Sequence, residues 1–387
     1  MLLDGSSPSD IEQAAQVLAR GGLLGLPTET VYGLAADAGQ DCAVRDIFAT
    51  KGRPADHPLI VHVASAQDVG TFAASVPDFA QALMNAFWPG PLTLILPRRL
   101  DVATQAAGGQ DSVGLRCPSH PVAQAVLRAA KALGVQGVAA PSANRFGRVS
   151  PTTAEHVQQE FPSLDVIDGG ACEVGIESTI VDCTRGVPVL LRPGVITPEQ
   201  LSQAAGVRVL QPDEPLHAPL VYATKARATQ TNATQASATQ ASATQASATQ
   251  ASAPRASGTL ASHYAPQALL RLMSTDALRQ AVKDWNAQAH PTSSAQAHGA
   301  TQQTAAPRLA IWTRQPLVVT ASQTVVQHMP ADAKRCAHEL FAVMRALDAQ
   351  GVHEIWVEAP PPGPQWDGVR DRLTRASVRE TSSDERA

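Results

Sequence analysis

The sequence predicts a protein in two parts, one α/β or α+β sheet domain over the first ~210 residues and a smaller α/β unit near the C-terminus. Three observations carry that prediction. Short apolar runs alternate with helix-period patterns through the first part. A low-complexity stretch then breaks the composition. Beyond the break the alternation resumes on a smaller scale.

Taken in order, Ser7 is placed to cap a helix, with Pro8 at its first position and Asp10 three residues after the cap. Ile11, Ala14, Val17 and Leu18 share one face of it, and Gly21 and Gly22 end it. Strands are expected at LLGL (23–26), PLIVHV (58–63), TLILP (93–97), SVGLRC (112–117), GVAA (137–140) and STIVDC (178–183), where the runs are short and rich in leucine or β-branched residues. Helical patterns separate them at 41–50, 78–87, 120–132 and 152–161, and Thr197 with Pro198 and Gln200 opens another short helix.

Residues 228–252 repeat a five-residue unit, ATQTN and then ATQAS four times. Such a run has no large apolar side chain and no charge to offset its ordering entropy, so a flexible linker is expected over 211–262. In the last part RLAIW (308–312) and HEIWVEAP (353–360) read as strands. Residues 332–349 read as an amphipathic helix with Leu340, Phe341, Met344 and Leu347 on one face, and 367–376 as a basic helix. A polar loop is expected at roughly 287–307. The expected boundaries are a first domain at 1–210, the linker at 211–262, a second domain at 263–377 and a disordered tail at 378–387.

Thirty basic against 34 acidic side chains leave a net charge of −4, which argues against a dedicated nucleic-acid binder. The five cysteines, Cys42, Cys117, Cys172, Cys183 and Cys336, form no CxxC pair and are odd in number, so reduced thiols are expected rather than a zinc site or a disulfide framework. The first residues lack a basic, apolar leader, and no run approaches the ~18 apolar residues of a membrane span. A soluble, cytoplasmic protein without membrane contact is the expectation. Neither a GxxxxGK[ST] loop nor a GxGxxG fingerprint is present, so any nucleotide would be held by another design.

Polar residues concentrate where strands end. PTETVYG (27–33) offers Thr28, Glu29 and Thr30; alternatively Thr28 caps a short helix and Gly33 supplies a special backbone angle. In KGRPADHPLIVHV (51–63), Lys51 and Arg53 suit phosphate oxygens, while a solvated basic turn at a helix C-terminus accounts for them equally. His57 and His62 bracket the strand, and His62 alone would read as a core histidine. APSANRFGRVSPT (140–152) supplies Ser142, Asn144, Arg145, Arg148 and Ser150, the last also a candidate helix cap. Arg116 and Arg192 end their strands, where a structural salt bridge is the plainer role, and GIESTIVD (175–182) offers Glu177, Ser178 and Thr179. If these ends converge, they make a polar, cationic pocket for an anionic ligand such as a phosphorylated small molecule or an RNA backbone.

PTETVYGL, KGRPADHPL, FWPGPLTLIL, VGLRCP, APSAN with SPT, ESTIVD and LRPG occur in the order and spacing of the YrdC-like family, which the chain resembles over about 10–207 and 254–377. HYAP (263–266), followed by a second α/β domain, resembles the long, two-domain form of threonylcarbamoyl-AMP synthase. The resemblance implies a YrdC-like twisted mixed sheet with a large concave cavity, plus a Rossmann-like second domain. It implies a nucleotidyltransferase joining L-threonine, bicarbonate or CO2, and ATP with its Mg2+ into threonylcarbamoyl-AMP and pyrophosphate, with no prosthetic group. The product would pass to a tRNA threonylcarbamoyl transferase complex that modifies the adenosine beside the anticodon of ANN-decoding tRNAs.

Carried over by position, Lys51, Arg53, Ser142 and Asn144 match the family's signature tetrad. Arg53, His57, Arg116, Ser142, Ser150, Arg192 and Tyr264 match ATP contacts, and Thr30, His62, Ser112, Ala140 and Ser178 match threonine contacts. Ser112 stands where threonine is the commoner residue. The competing reading is a YrdC-like protein that binds double-stranded RNA or ribosomes, and weak RNA binding is compatible with either. The related hydrogenase-maturing carbamoyltransferase carries zinc-finger cysteine pairs that this chain lacks.

Overall fold

A computed structural model describes residues 1–216, 253–289 and 308–378. The five-residue repeat at 228–252, the expected loop from 290 onward and the tail after 378 lie outside the described residues. The described residues contain no helix long and apolar enough to cross a membrane.

In the first part the strands are β1 (Leu2–Asp4), β2 (Leu24–Leu26), β3 (Gly33–Asp37), β4 (Ile60–His62), β5 (Leu92–Pro97), β6 (Ser112–Arg116), β7 (Val138–Ala139), β8 (Asp165–Asp168), β9 (Thr179–Asp182) and β10 (Val189–Arg192). They form one mixed sheet in the order β1-β8-β2-β3-β7-β4-β6-β5-β9-β10. Parallel pairs (β1 with β8, β4 with β6, β5 with β9) are interleaved with antiparallel ones. Helices α1 (Pro8–Ala19), α2 (Asp41–Lys51), α3 (Val69–Phe72), α4 (Asp78–Phe87), α5 (Pro121–Ala132), α6 (Ala154–Glu160) and α7 (Pro198–Ala205) cover it. The Ser7 side chain accepts from the Asp10 N–H at the start of α1, and Thr197 with Gln200 closes a full capping box on α7.

The second part is a four-stranded, wholly parallel sheet in the order β11-β14-β12-β13. Its elements are β11 (Leu269–Met273), α8 (Thr275–Ala289), β12 (Leu309–Thr313), β13 (Thr324–His328), α9 (Ala333–Asp348), β14 (Glu354–Glu358) and α10 (Asp367–Ser377). Leu340, Phe341, Met344 and Leu347 are all buried under α9. The two domains share a core: Val31, Val149 and Ile176 from the first pack in one cluster with Tyr264, Phe341 and Trp366 from the second.

Several local expectations are corrected. Thr28 caps no helix; its hydroxyl closes a tight turn that leads into β3. Gly33 keeps an ordinary backbone angle and is required for space instead, since a Cβ there would sit 3.0 Å from the Ala140 Cβ. Ser150 is not a cap, because Thr153 caps α6. Residues 287–289 belong to α8 rather than to a loop.

Candidate active site

The PTET turn is locked from within. Thr28 Oγ1 donates to the Val31 carbonyl at 2.6 Å and accepts from the Thr30 and Val31 N–H groups at 3.2 Å each. Glu29 then points across the sheet to Arg116 at the end of β6, with 2.8 Å between Oε1 and Nη2, and its Oε2 accepts from the Ser119 N–H at 3.1 Å. Both side chains are buried, so Arg116 has the salt bridge that its position suggested.

The strand ends converge on one cavity. Thr30, Arg53, His62, Arg116, Ala140, Ser142, Ser178, Arg192 and Tyr264 line it, nine of the residues singled out in the sequence. Arg192, on β10, donates through Nη2 to the Ser178 carbonyl at 2.9 Å and to its hydroxyl at 3.2 Å, and through Nη1 to the Ser257 carbonyl at 2.8 Å. Arg53 follows the left-handed Gly52 that ends α2; its Nη2 donates to the Pro58 carbonyl at 3.0 Å and the Ser257 hydroxyl at 3.3 Å. The segment 257–258 therefore roofs the cavity before HYAP closes its side.

This is a cationic interior. Burial, then the neighbouring Arg192, bring Arg53 down to about 10, and Arg192 is lowered chiefly by burial. Burial, then Arg116, push His62 down to about 3, and burial takes His263 to about 3 as well, so both imidazoles are neutral at physiological pH. Tyr264 is raised to about 12 by burial first and Glu177 second, so its phenol stays protonated. The buried Arg53 Nε, His263 Nδ1 and Tyr264 hydroxyl have no hydrogen-bond partner among the described residues, which suits groups facing a polar ligand.

The other expected residues lie around the cavity rather than on it. Lys51 is buried and its ammonium donates to the Ser142 carbonyl at 2.5 Å and to that of Asn144. Asn144 in turn donates to the Arg145 and Arg148 carbonyls at 2.7 and 2.9 Å. Together they fix the turn that presents Ser142. Burial, then Arg53, hold the Lys51 pKa well below that of a free lysine. His57 stands outside, 5.6 Å from the Phe146 ring, and Ser150 lies behind Glu177. Ser112 faces a small adjoining pocket with Arg255 and Ser257.

Sequence reasoning gave no role to Glu29, Glu177, Ser257, His263, Arg345 or Arg372. Glu29 and Glu177 sit within quoted motifs, but their partners are far away in the chain; Arg372 stood only as one charge on a basic helix. Among the described residues no three His, Cys, Asp or Glu side chains come together as a metal site.

A wide mixed sheet whose strand ends gather buried arginines around one cavity, closed by a second parallel-sheet domain, defines the two-domain YrdC-like architecture. The chain belongs to the Sua5/YciO/YrdC family, in its long, two-domain form. The family model described as "Telomere recombination" matches residues 16–194, and that described as "Threonylcarbamoyl-AMP synthase, C-terminal domain" matches 196–378. The threonylcarbamoyl-AMP synthase of Pyrococcus abyssi is 44% identical over 198 residues, 51% of this chain and 57% of that protein. In that alignment the chain thus spans a little over half the length of its relative. A putative threonylcarbamoyl-AMP synthase of Mycobacterium tuberculosis is 36% identical over 51% of this chain and 89% of its own length. The crystal structure of P. abyssi Sua5 complexed with L-threonine superposes with a TM-score of 0.75 at 27% identity, covering 97% of each chain.

Proposed function

We propose that the chain is an L-threonylcarbamoyladenylate synthase, a nucleotidyltransferase that makes threonylcarbamoyl-AMP and pyrophosphate from L-threonine, bicarbonate and ATP. The observation that carries the reading is the convergence of Arg53, Arg116 and Arg192 on one cavity that is also lined by Thr30, Ser142 and Ser178. Guanidinium groups suit phosphate oxygens, and hydroxyls suit an amino acid's carboxylate and side chain. The relatives' names and the threonine-bound neighbour support the same assignment.

The chemistry needs no enzyme nucleophile. The threonine amine attacks CO2, or bicarbonate with loss of hydroxide, and sheds a proton to give an N-carboxylate. A carboxylate oxygen then attacks the α-phosphorus of ATP as the bond to the bridging β-phosphate oxygen breaks, releasing pyrophosphate. Positioning and preorganised positive charge do most of the work in such transfers.

Arg53 and Arg192 are assigned to the polyphosphate. Lys51 and Asn144 are assigned to holding Ser142 in place, with the Lys51 charge adding to the local field. Thr30, His62 and Ser178 are assigned to threonine, and Tyr264 to the nucleotide. Mg2+ enters as the companion of ATP, held mainly by phosphate oxygens. A cytoplasmic setting and delivery of the adenylate to a tRNA threonylcarbamoyl transferase complex complete the proposal. Pyrophosphate release and adenylate formation with each substrate omitted in turn test it.

A further inference from the structure

Arg372 enters the first domain from the second. On α10, Gly368 lies so close to the LRPG turn that a Cβ there would meet the Gly194 carbonyl at 2.7 Å. One helical turn later Arg372 is fully buried. Its Nε donates to Glu177 Oε2 at 2.9 Å, its Nη2 to the Glu177 carbonyl at 3.1 Å and its Nη1 to the Pro193 carbonyl at 2.6 Å. Asp371 balances the outer side at 2.9 Å, and the guanidinium carbon lies 5.6 Å from the Tyr264 ring centroid.

The carboxylate it meets is the one that lines the cationic cavity beside Arg192. The other oxygen of Glu177 accepts from the Ser150 hydroxyl at 2.5 Å, while Arg345 of α9 donates to the Ser150 carbonyl at 3.3 Å. Burial pushes the Glu177 pKa up, but Arg372 and then Arg192 pull it below the usual carboxylate value. Remove Arg372 and a buried carboxylate is left facing the space assigned to phosphates. It would repel them, or capture the Arg192 guanidinium now bound to Ser178 and Ser257.

We infer that Arg372 is a positioning residue for the active site: it occupies the charge of Glu177, so that Ser150 is fixed and Arg192 keeps its place on Ser178 and Ser257 beside the nucleotide. Helix α10 of the second domain is thereby part of the ATP site without touching ATP. The inference rests on reading this cavity as an ATP site.

The test is equilibrium ATP affinity of the full-length chain, measured for the wild type, Arg372→Met, Glu177→Gln and the double variant, with thermal unfolding of each alongside. Arg372→Met should weaken ATP binding on the order of 5- to 150-fold, the usual span of coupling between sites. Adding Glu177→Gln should return the affinity to that of Glu177→Gln alone. If Arg372→Met does not fold, Arg372→Lys and the double variant carry the comparison, and Arg372→Lys should retain most of the affinity. Unchanged affinity in Arg372→Met, or a loss that Glu177→Gln does not relieve, overturns the positioning role while leaving the synthase reading intact. No ATP binding by the wild type overturns both.

Discussion

Glu29 and Arg116 meet as a buried ion pair, Oε1 to Nη2 at 2.8 Å, with side-chain exposures of 4% and 5%. The pair joins the PTET turn to the end of β6 and so fixes two walls of the cavity at once. A charge pair this deep contributes less by attraction than it would cost to break, because either partner alone is a stranded charge.

Glu29→Ala should therefore lower the unfolding free energy by about 3 kcal/mol or more, the usual result of removing one partner of a buried pair. Denaturant titration reads this as a lower midpoint at unchanged slope. A change within the error of the midpoint would mean that the pair is dispensable.

Lys51→Ala should cut the rate of pyrophosphate release by a factor on the order of 100 or more, the scale of losing one preorganised electrostatic group. The ammonium joins the Ser142 and Asn144 carbonyls, so its removal frees the turn as well as deleting the charge. Pyrophosphate release at the wild-type rate would remove Lys51 from the machinery.

Tyr264→Ala should raise the KM for ATP more than the KM for threonine. The residue is buried between Phe341, 5.4 Å away, and the Arg372 guanidinium, and it keeps a left-handed backbone at φ 64°. Equal effects on both substrates would contradict a nucleotide-side role.

The buried histidines set an acid limit. His62 and His263 have folded pKa values of about 3 and His156 about 4, against 6.5 for the free group. The unfolded chain takes up protons at these sites below about pH 6.5, whereas the folded chain does not until much lower pH. Stability is thus fully present above pH 6.5 and declines as pH falls from 6.5 toward 3. Thermal midpoints should drop across that window, and the imidazole signals of His62 and His263 in the folded protein should not titrate between pH 8 and 5. Titration of His62 near pH 6.5 would contradict its burial.

Much of the sheet was legible because β4, β5, β6 and β9 are apolar runs rich in Val, Ile and Leu. β3, GLAAD, escaped notice because its small residues carry no strand signature; it is buried by closeness to Ala140 and α2 rather than by bulk. β13 is half exposed at a sheet edge and shows no strong alternation, whereas α8 carries a helical period, with Leu278, Ala281, Val282 and Trp285 on one face, that escaped notice among its polar residues. Individual site residues stood out as polar groups at strand ends. Their couplings did not: Glu177 and Arg372 are 195 positions apart, and nothing local marks one as the other's partner. Lys51 illustrates the same gap, since a cation in a basic turn gives no sign that it faces two carbonyls inside the protein.

The most direct measurement is adenylate formation by the intact chain from ATP, threonine and isotope-labelled bicarbonate, each omitted in turn, with pyrophosphate followed in parallel. The account predicts one pyrophosphate per adenylate, label in the threonylcarbamoyl group, and no product when any one substrate is missing. ATP turnover indifferent to threonine, or no adenylate with all three present, would contradict it and shift the weight toward a protein that binds RNA.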